Sequence, residues 1–303
     1  MRQVTRFISI AKQSITRISK QMPWYLQLIR FEKPIGVYLL LWPTLWAITI
    51  ATEARPDPWL LFVFIAGVFL TRSAGCAIND YADRDIDLHV ARTEDRPLTS
   101  GKITPNEALI VFAILMLLAF LLVLTLNWFT IVLSLGAVVL AATYPFMKRF
   151  HYLPQVHLGA SFSWGIPMAF AAVHEAVPKE AWLLYVSALI WTVAYDTLYA
   201  IADREDDLKV GVKSTAILFG EYDRILVGLF QALFITAMWL IGNSLEFHAI
   251  YYFTLIVAVG LMSYEQFMIR HRDPQRCFEA FLHNHWIGGA IFFGVLGHYY
   301  LST

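Results

Sequence analysis

Nine apolar runs, each roughly 20 residues long and separated by short polar connections, restrict what this chain can fold into more than any other feature. They lie near residues 35 to 52, 58 to 78, 106 to 126, 128 to 145, 153 to 173, 180 to 201, 225 to 242, 247 to 268 and 284 to 301. Crossing about 30 Å of hydrocarbon as a helix takes about 20 apolar residues. No water is available there to satisfy backbone N–H and C=O groups, so each run must close its own hydrogen bonds. Runs of this length are too long for barrel strands. The expectation is an all-α integral membrane protein with nine transmembrane helices. Composition agrees: 58% of residues are hydrophobic and 15% charged, where a soluble domain carries about 25% charged residues.

Basic residues set the orientation. Outside the runs, one side collects an N-terminal group, then Arg84, Arg92, Arg96 and Lys102, then Lys148 and Arg149, then Arg204, Lys209, Lys213 and Arg224, then Arg270, Arg272 and Arg276. The other side receives Arg55 and Lys179. By the positive-inside rule the N-terminus is cytoplasmic and the C-terminus outside. Residues 1–33 hold Arg2, Arg6, Lys12, Arg17, Lys20, Arg30 and Lys33 against one acid, Glu32. This segment reads as an amphipathic helix on an anionic membrane surface or as a transit peptide. It lacks the short apolar core and small-residue cleavage site of a removable secretory signal. One transmembrane domain is expected over 34–303. Net charge is zero, so no overall field draws nucleic acid. The two cysteines, Cys76 and Cys277, match neither a disulfide framework nor metal-ligand spacing, and Cys76 reads as small apolar filler.

The second apolar run ends in Asn79-Asp80-Tyr81-Ala82-Asp83-Arg84-Asp85-Ile86-Asp87. At about 100° per residue, Asn79, Asp80, Asp83 and Asp87 share one helix face and Asp85 points away. Like charges three and four residues apart repel, so a helix that gathers them needs a counter-ion. Oxygen ligands without histidine suit Mg²⁺, which takes one or two carboxylates and fills its other positions with water and phosphate. The sixth run ends similarly: Ala202-Asp203-Arg204-Glu205-Asp206-Asp207 nearly repeats Ala82-Asp83-Arg84-Asp85-Ile86-Asp87. Asp196, Tyr199, Asp203, Asp206 and Asp207 share one arc. Ordinary solvated helix ends would explain the outer acids. They do not explain Asp196, which lies inside an apolar run at a cost of about 2.5 to 3.5 kcal/mol.

Arg72 sits two turns before Asn79 on the same face, deeper in the membrane. A buried guanidinium needs an anion, either one of these acids or a substrate carboxylate. Arg92, Arg96, Pro97 and Gly101 follow the first acidic stretch, and Lys209, Gly211, Lys213 and Ser214 follow the second. These loops suit a diphosphate or are ordinary positive-inside charge. Tyr144 precedes Pro145, which favours a helix break there, with Lys148 reaching a phosphate or snorkelling to the interface. The nine histidines show no zinc-protease spacing, no Walker loop or nucleophile elbow occurs, and His89, His151, His157, His283 and His285 read as structural or interfacial. Trp42, Trp46, Trp164, Trp182, Trp191 and Trp286 suit an interfacial belt, some facing a cavity. A lipid-soluble molecule with a diphosphate head fits these features together: a divalent cation bridges acids to phosphate, and a dry aromatic site shelters an allylic cation.

Asn79-Asp80-x-x-Asp83-x-x-x-Asp87 with Asp196-x-x-Tyr199-x-x-x-Asp203-x-x-x-Asp207 resembles the paired aspartate-rich motifs of the UbiA superfamily of intramembrane prenyltransferases. Lys33-Pro34-Ile35-Gly36, Leu41-Trp42-Pro43-Thr44-Leu45-Trp46, Arg96-Pro97-Leu98, Tyr144-Pro145-Phe146-Met147-Lys148-Arg149 and Gly211-Val212-Lys213-Ser214-Thr215 resemble its 4-hydroxybenzoate polyprenyltransferases of ubiquinone biosynthesis. The likeness runs from about residue 24 to the C-terminus. It implies a nine-helix bundle around a central cavity open to the cytoplasmic side and laterally to lipid. It implies Mg²⁺-dependent transfer of a polyprenyl chain from its diphosphate to the ring carbon ortho to the hydroxyl of 4-hydroxybenzoate. By the same resemblance, Asn79, Asp80, Asp83, Asp87, Asp196, Asp203 and Asp207 hold Mg²⁺ and diphosphate, with Lys148, Lys209 and Arg84 as phosphate partners. Arg72, and more weakly Arg149, takes the aromatic carboxylate, and Tyr144 and Tyr199 line the substrate site. The partners implied are polyprenyl diphosphate, 4-hydroxybenzoate and the bilayer, without nucleic acid or an obligate protein partner. The location implied is a bacterial inner membrane, with the mitochondrial inner membrane as the alternative. Two other readings stand beside it: a relative with a different acceptor, and a cation-coupled transporter built from two halves, whose site belongs near the membrane midplane.

Overall fold

The computed structural model describes residues 21–88 and 93–301, which form helices joined by short connections with no strand among them. In chain order these are α1 (21–28), α2 (Ile35–Ala51), α3 (Pro58–Asp87), α4 (Pro105–Val123), α5 (Trp128–Phe150), α6 (Pro154–Ser163), α7 (Gly165–His174), α8 (Lys179–Val210), α9 (Thr215–Phe219), α10 (Asp223–Ser244), α11 (Ala249–Met268) and α12 (Pro274–Leu301). Most of the expected surface helix or transit peptide, with Arg2, Arg6, Lys12, Arg17 and Lys20, lies outside the described residues, as do His89 and Arg92.

All nine apolar runs are helical. Seven helical segments are long and apolar enough to cross a membrane: 58–85, 105–123, 128–150, 154–174, 179–210, 215–244 and 249–271. α2 is shorter, at 17 residues. α12 runs for 28 residues but carries Arg276, Glu279, His283 and Asn284 and is not among the seven. Of the nine helices expected to cross the membrane, seven are therefore long and apolar enough among the described residues, and a count of nine is not established.

Local chemistry sets several ends. Thr104 and Glu107 form a reciprocal capping box at the start of α4, with Pro105 in its first turn. Asn127 caps α5 by accepting from the Thr130 amide at 2.9 Å, and its side-chain amide donates to the Ala171 and Ala172 carbonyls, tying α5 to the end of α7. α8 stops at Gly211, whose φ of 74° suits glycine.

The break expected at Pro145 does not occur, because α5 runs through it to Phe150. The proline removes one donor from the helix, and Ala141, four residues back, lines the cavity described below. The break lies instead at Trp164, between α6 and α7. Its indole donates to the Leu133 carbonyl of α5 at 2.8 Å and fills the space where a Gly136 side chain would stand.

α8 is the most enclosed of the seven segments, with 67% of its most apolar stretch buried against 11% for α4. It packs against α6, α10 and α12. Trp46, Trp191 and Phe234 stack at its centre with ring centroids 5.4 to 6.1 Å apart. Trp46 donates to the Gly288 carbonyl and Trp191 to Asn284, both at 3.0 Å. These two tryptophans therefore belong to the core and not to an interfacial belt. Trp182 and Trp286 are exposed, as a belt requires.

Beside this core, the fully buried Glu265 of α11 accepts from Gln231 at 2.9 Å and meets His283 at 3.1 Å. Removing a buried acceptor strands its donors. Glu265→Ala is expected to lower stability by about 3 kcal/mol, read as a lower unfolding temperature of detergent-solubilised protein. An unchanged Tm would mean that water replaces the carboxylate.

Candidate active-site cavity

Along α3 the residues Val63, Phe64, Gly67, Val68, Thr71, Arg72, Gly75, Cys76, Asn79, Asp80, Asp83 and Asp87 line one cavity of about 890 Å³. Their spacing of three and four is one helix face. From Val63 to Asp87 that face covers about 36 Å. Across from it stand Tyr195, Asp196, Tyr199, Asp203, Asp206 and Asp207 of α8, with Tyr144 and Lys148 of α5 between. Met116, Phe120 and Val123 of α4 and Val138 and Met168 of α5 and α7 add apolar wall. The cavity therefore has a charged end and an apolar arm.

Both acidic stretches lie where α3 and α8 continue helically beyond their apolar runs. Acids at a helix C-terminus oppose the macrodipole, so they need cations, and the fold brings three from distant positions. Asp80, 1% exposed, accepts from Arg30 at 2.7 and 3.1 Å and from Arg96 at 3.2 Å. Arg96 also reaches Asp87 at 2.6 Å. Lys148 holds Asp83 at 2.6 Å, and Asn79 donates to the same oxygen at 3.1 Å. Lys148 therefore does not snorkel. Asp87 lies just past the membrane-crossing stretch; burial raises its carboxyl above the usual value, opposed by Arg96 and reinforced by Asp83 and Asp80. Asp85 is exposed, as its angle on the helix predicts.

Arg72 forms no ion pair among the described residues. Its Nη1 donates to Cys76 Sγ at 2.6 Å and its buried Nε has no hydrogen-bond partner. A side chain at Gly36 would occupy the space of the guanidinium, so this glycine gives Arg72 its room. Cys76 is thus a polar contact and not only filler.

Eleven of the expected site residues line this one cavity: Arg72, Asn79, Asp80, Asp83, Asp87, Tyr144, Lys148, Asp196, Tyr199, Asp203 and Asp207. Arg84, Arg149 and Lys209 do not. Arg84 lies 4.7 Å over the Tyr81 ring and donates to the Tyr81 carbonyl at 2.9 Å. Arg149 donates to the Ala82 carbonyl behind α3. Lys209 is exposed and pairs with Asp206 at 2.9 Å. The long reach of these side chains lets Arg84 and Arg149 find partners away from the cavity, whereas Lys209 pairs with the cavity-lining Asp206 from outside it. Sequence reasoning missed Arg30 and Tyr195 as lining residues, and it gave Arg96 only as one base of a loop suited to a diphosphate. Arg96 carried a signal, its place in Arg96-Pro97-Leu98 just after the first acidic stretch, whereas Arg30 was one of several N-terminal cations.

No three acidic, histidine or cysteine side chains among the described residues stand close enough to hold a metal by themselves. The donor set nevertheless suits Mg²⁺, which needs only one or two carboxylates when substrate phosphate completes its shell. Asp83 Oδ1 is buried without a hydrogen-bond partner, an acceptor suited to such a cation. With two acidic stretches on one cavity, the arrangement can hold a phosphorylated head group through cations at one end and an apolar tail in the arm.

Residues 40–288 match the model of the UbiA prenyltransferase family. The chain is 56% identical over 288 residues to the 4-hydroxybenzoate octaprenyltransferase of Hahella chejuensis, covering 95% of each protein. It is 53% identical to that of Pseudomonas syringae pv. syringae, over 97% of this chain and 99% of the relative. Among solved structures, a UbiA homologue from Aeropyrum pernix K1 in its apo form superposes with a TM-score of 0.75 at 25% identity, over 86% of this chain and 97% of that one. A UbiA homologue from Archaeoglobus fulgidus bound to GPP and Mg²⁺ superposes with a TM-score of 0.70 at 19% identity, over 90% of this chain and 99% of that one.

Proposed function

The chain belongs to the UbiA prenyltransferase family, and from that premise we propose that it transfers a polyprenyl group from polyprenyl diphosphate to the ring carbon ortho to the hydroxyl of 4-hydroxybenzoate. The reaction depends on Mg²⁺. The protein is a multi-pass membrane protein, and the bacterial relatives support a bacterial inner membrane with the charged end of the cavity facing the cytoplasm. The observation that carries this reading is the meeting of two acidic helix ends at one end of a cavity whose other arm is apolar.

Bound Mg²⁺ supplies electrostatic stabilisation of the departing diphosphate. Asp80, Asp83 and Asp87 from α3, and Asp203 and Asp207 from α8, are the carboxylates proposed to hold it, with Asn79 and Asp196 beside them. Arg30, Arg96 and Lys148, which pair with the α3 acids, line the same cavity and would hold phosphate oxygens of the donor. Arg72, about 10 Å deeper along α3, fixes the carboxylate of the aromatic acid. The rings of Tyr144, Tyr195, Tyr199 and Phe281 line the volume between, offering π faces to the allylic cation and excluding water that would quench it.

The test is prenylation by purified protein in detergent with 4-hydroxybenzoate and a short allylic diphosphate, following diphosphate and product together. Product that requires Mg²⁺ is the expected result. Diphosphate release without that product would keep the ionisation and change the acceptor. No release by folded protein would overturn the reading.

A further inference from the structure

Arg204 stands inside the second acidic stretch, one residue after Asp203 and three before Asp207, yet it is not part of the cavity wall that both carboxylates join. Residues three apart on a helix are neighbours. The Arg204 guanidinium is therefore within reach of Asp207, and folded onto it would place a fixed positive charge where the proposed reaction needs a divalent cation.

The fold gives that guanidinium another carboxylate. Asp223, the first residue of α10 and fully buried, accepts from Arg204 Nη2. The Gly220 carbonyl lies 3.5 Å from the same nitrogen. Asp223 also accepts from Arg272 Nε, at 2.9 and 3.1 Å through its two oxygens, and from its neighbour's amide, Arg224 N, at 2.6 Å. Arg272 in turn donates to the Glu221 carbonyl at 2.5 Å. Arg272 alone can neutralise Asp223, which the helix N-terminus also favours. The pairing with Arg204 is the one that bears on the cavity.

The first acidic stretch has the same order, Asp83-Arg84-x-x-Asp87, and its arginine is also drawn aside, there by the Tyr81 ring, the Tyr81 carbonyl and Asp85 at 3.6 Å. Two stretches thus divert the same arginine by different means.

We propose that Asp223 is a positioning residue that acts through Arg204, holding its guanidinium on the outer side of α8 and off Asp207. This rests on the reading of the second acidic stretch as part of the cation and diphosphate site.

The experiment uses the full chain in detergent, with Mn²⁺ and inorganic pyrophosphate as probes and free Mn²⁺ read by electron paramagnetic resonance. Asp223→Asn is expected to raise the Mn²⁺ concentration for half-occupancy about tenfold, the scale of one charge-assisted pair. Arg204→Gln should bind like the parent. Adding Arg204→Gln to Asp223→Asn should restore binding to within about twofold. Arg272→Gln removes bonds to the same carboxylate but leaves Arg204 held, so it too should bind like the parent. Weak binding in Arg204→Gln, in Arg272→Gln or in the double variant would make the cluster a simple brace and overturn the proposal, as would unchanged binding in Asp223→Asn. Should Asp223→Asn fail to fold, Asp223→Ala is read alone and with Arg204→Gln by the same criteria, and weak binding in either single arginine variant still overturns the proposal. No Mn²⁺ binding by the parent with pyrophosphate would instead overturn the reading of the acidic stretch itself, and the proposal with it.

Discussion

Asp83→Asn is expected to leave a folded protein that turns over at least about 10³-fold more slowly, the effect of removing one preorganised electrostatic partner. Asp83 is buried, and one oxygen already serves Lys148 and Asn79. An amide keeps the shape and can keep that oxygen as an acceptor. It removes the negative charge and puts a donor where Oδ1 now lies without a partner. A cation would then meet an N–H in place of a carboxylate. Alanine is a less clean test, because it also strands the Lys148 charge. The rate is measured at saturating Mg²⁺, with circular dichroism to establish the fold and Asp85→Asn, at an exposed position, as the control. Turnover within tenfold of the parent would exclude Asp83 from the chemistry.

The second large effect concerns the acceptor. Arg72→Ala should lower kcat/KM for 4-hydroxybenzoate by about 10² to 10³, as expected for a charge-assisted fork lost from a partly buried site. Binding of the allylic diphosphate should change little, since Arg72 lies about 10 Å from Asn79 along α3. Arg72→Lys should recover only part of the loss, because an ammonium cannot reproduce the two-pronged geometry. Kinetics varied separately in acceptor and donor would show the split. An equal loss toward both would assign Arg72 to the general architecture of the cavity.

The sequence displays periodicity well and long-range pairing poorly. Asn79, Asp80, Asp83 and Asp87 are legible as one face because helical spacing fixes their angle before any tertiary contact forms. Asp196 is legible because an acid inside an apolar run has no cheap explanation. Arg30 is not legible: it meets Asp80 across 50 residues of chain, and nothing local separates it from the other N-terminal bases. Arg84 and Arg149 show the converse, since their sequence positions are suggestive and their side chains turn elsewhere. Proline misled in α5, which runs unbroken through Pro145 to Phe150. The true break at Trp164 had a local signal in Gly165-Ile166-Pro167, a glycine followed by a proline in the first turn of α7, where its missing N–H costs nothing.

From its acidic end to the tip of its apolar arm, the cavity runs along α3 for about 36 Å, a length comparable to the hydrocarbon thickness of a bilayer, about 30 Å. A donor with its tail there and its head among the acids never has to dissolve in water, and neither does the prenylated product. Encounter between enzyme and donor then takes place in two dimensions. The quantity that sets the rate is the donor's mole fraction in the surrounding lipid, and adding inert lipid dilutes the reaction although the volume of the sample is unchanged.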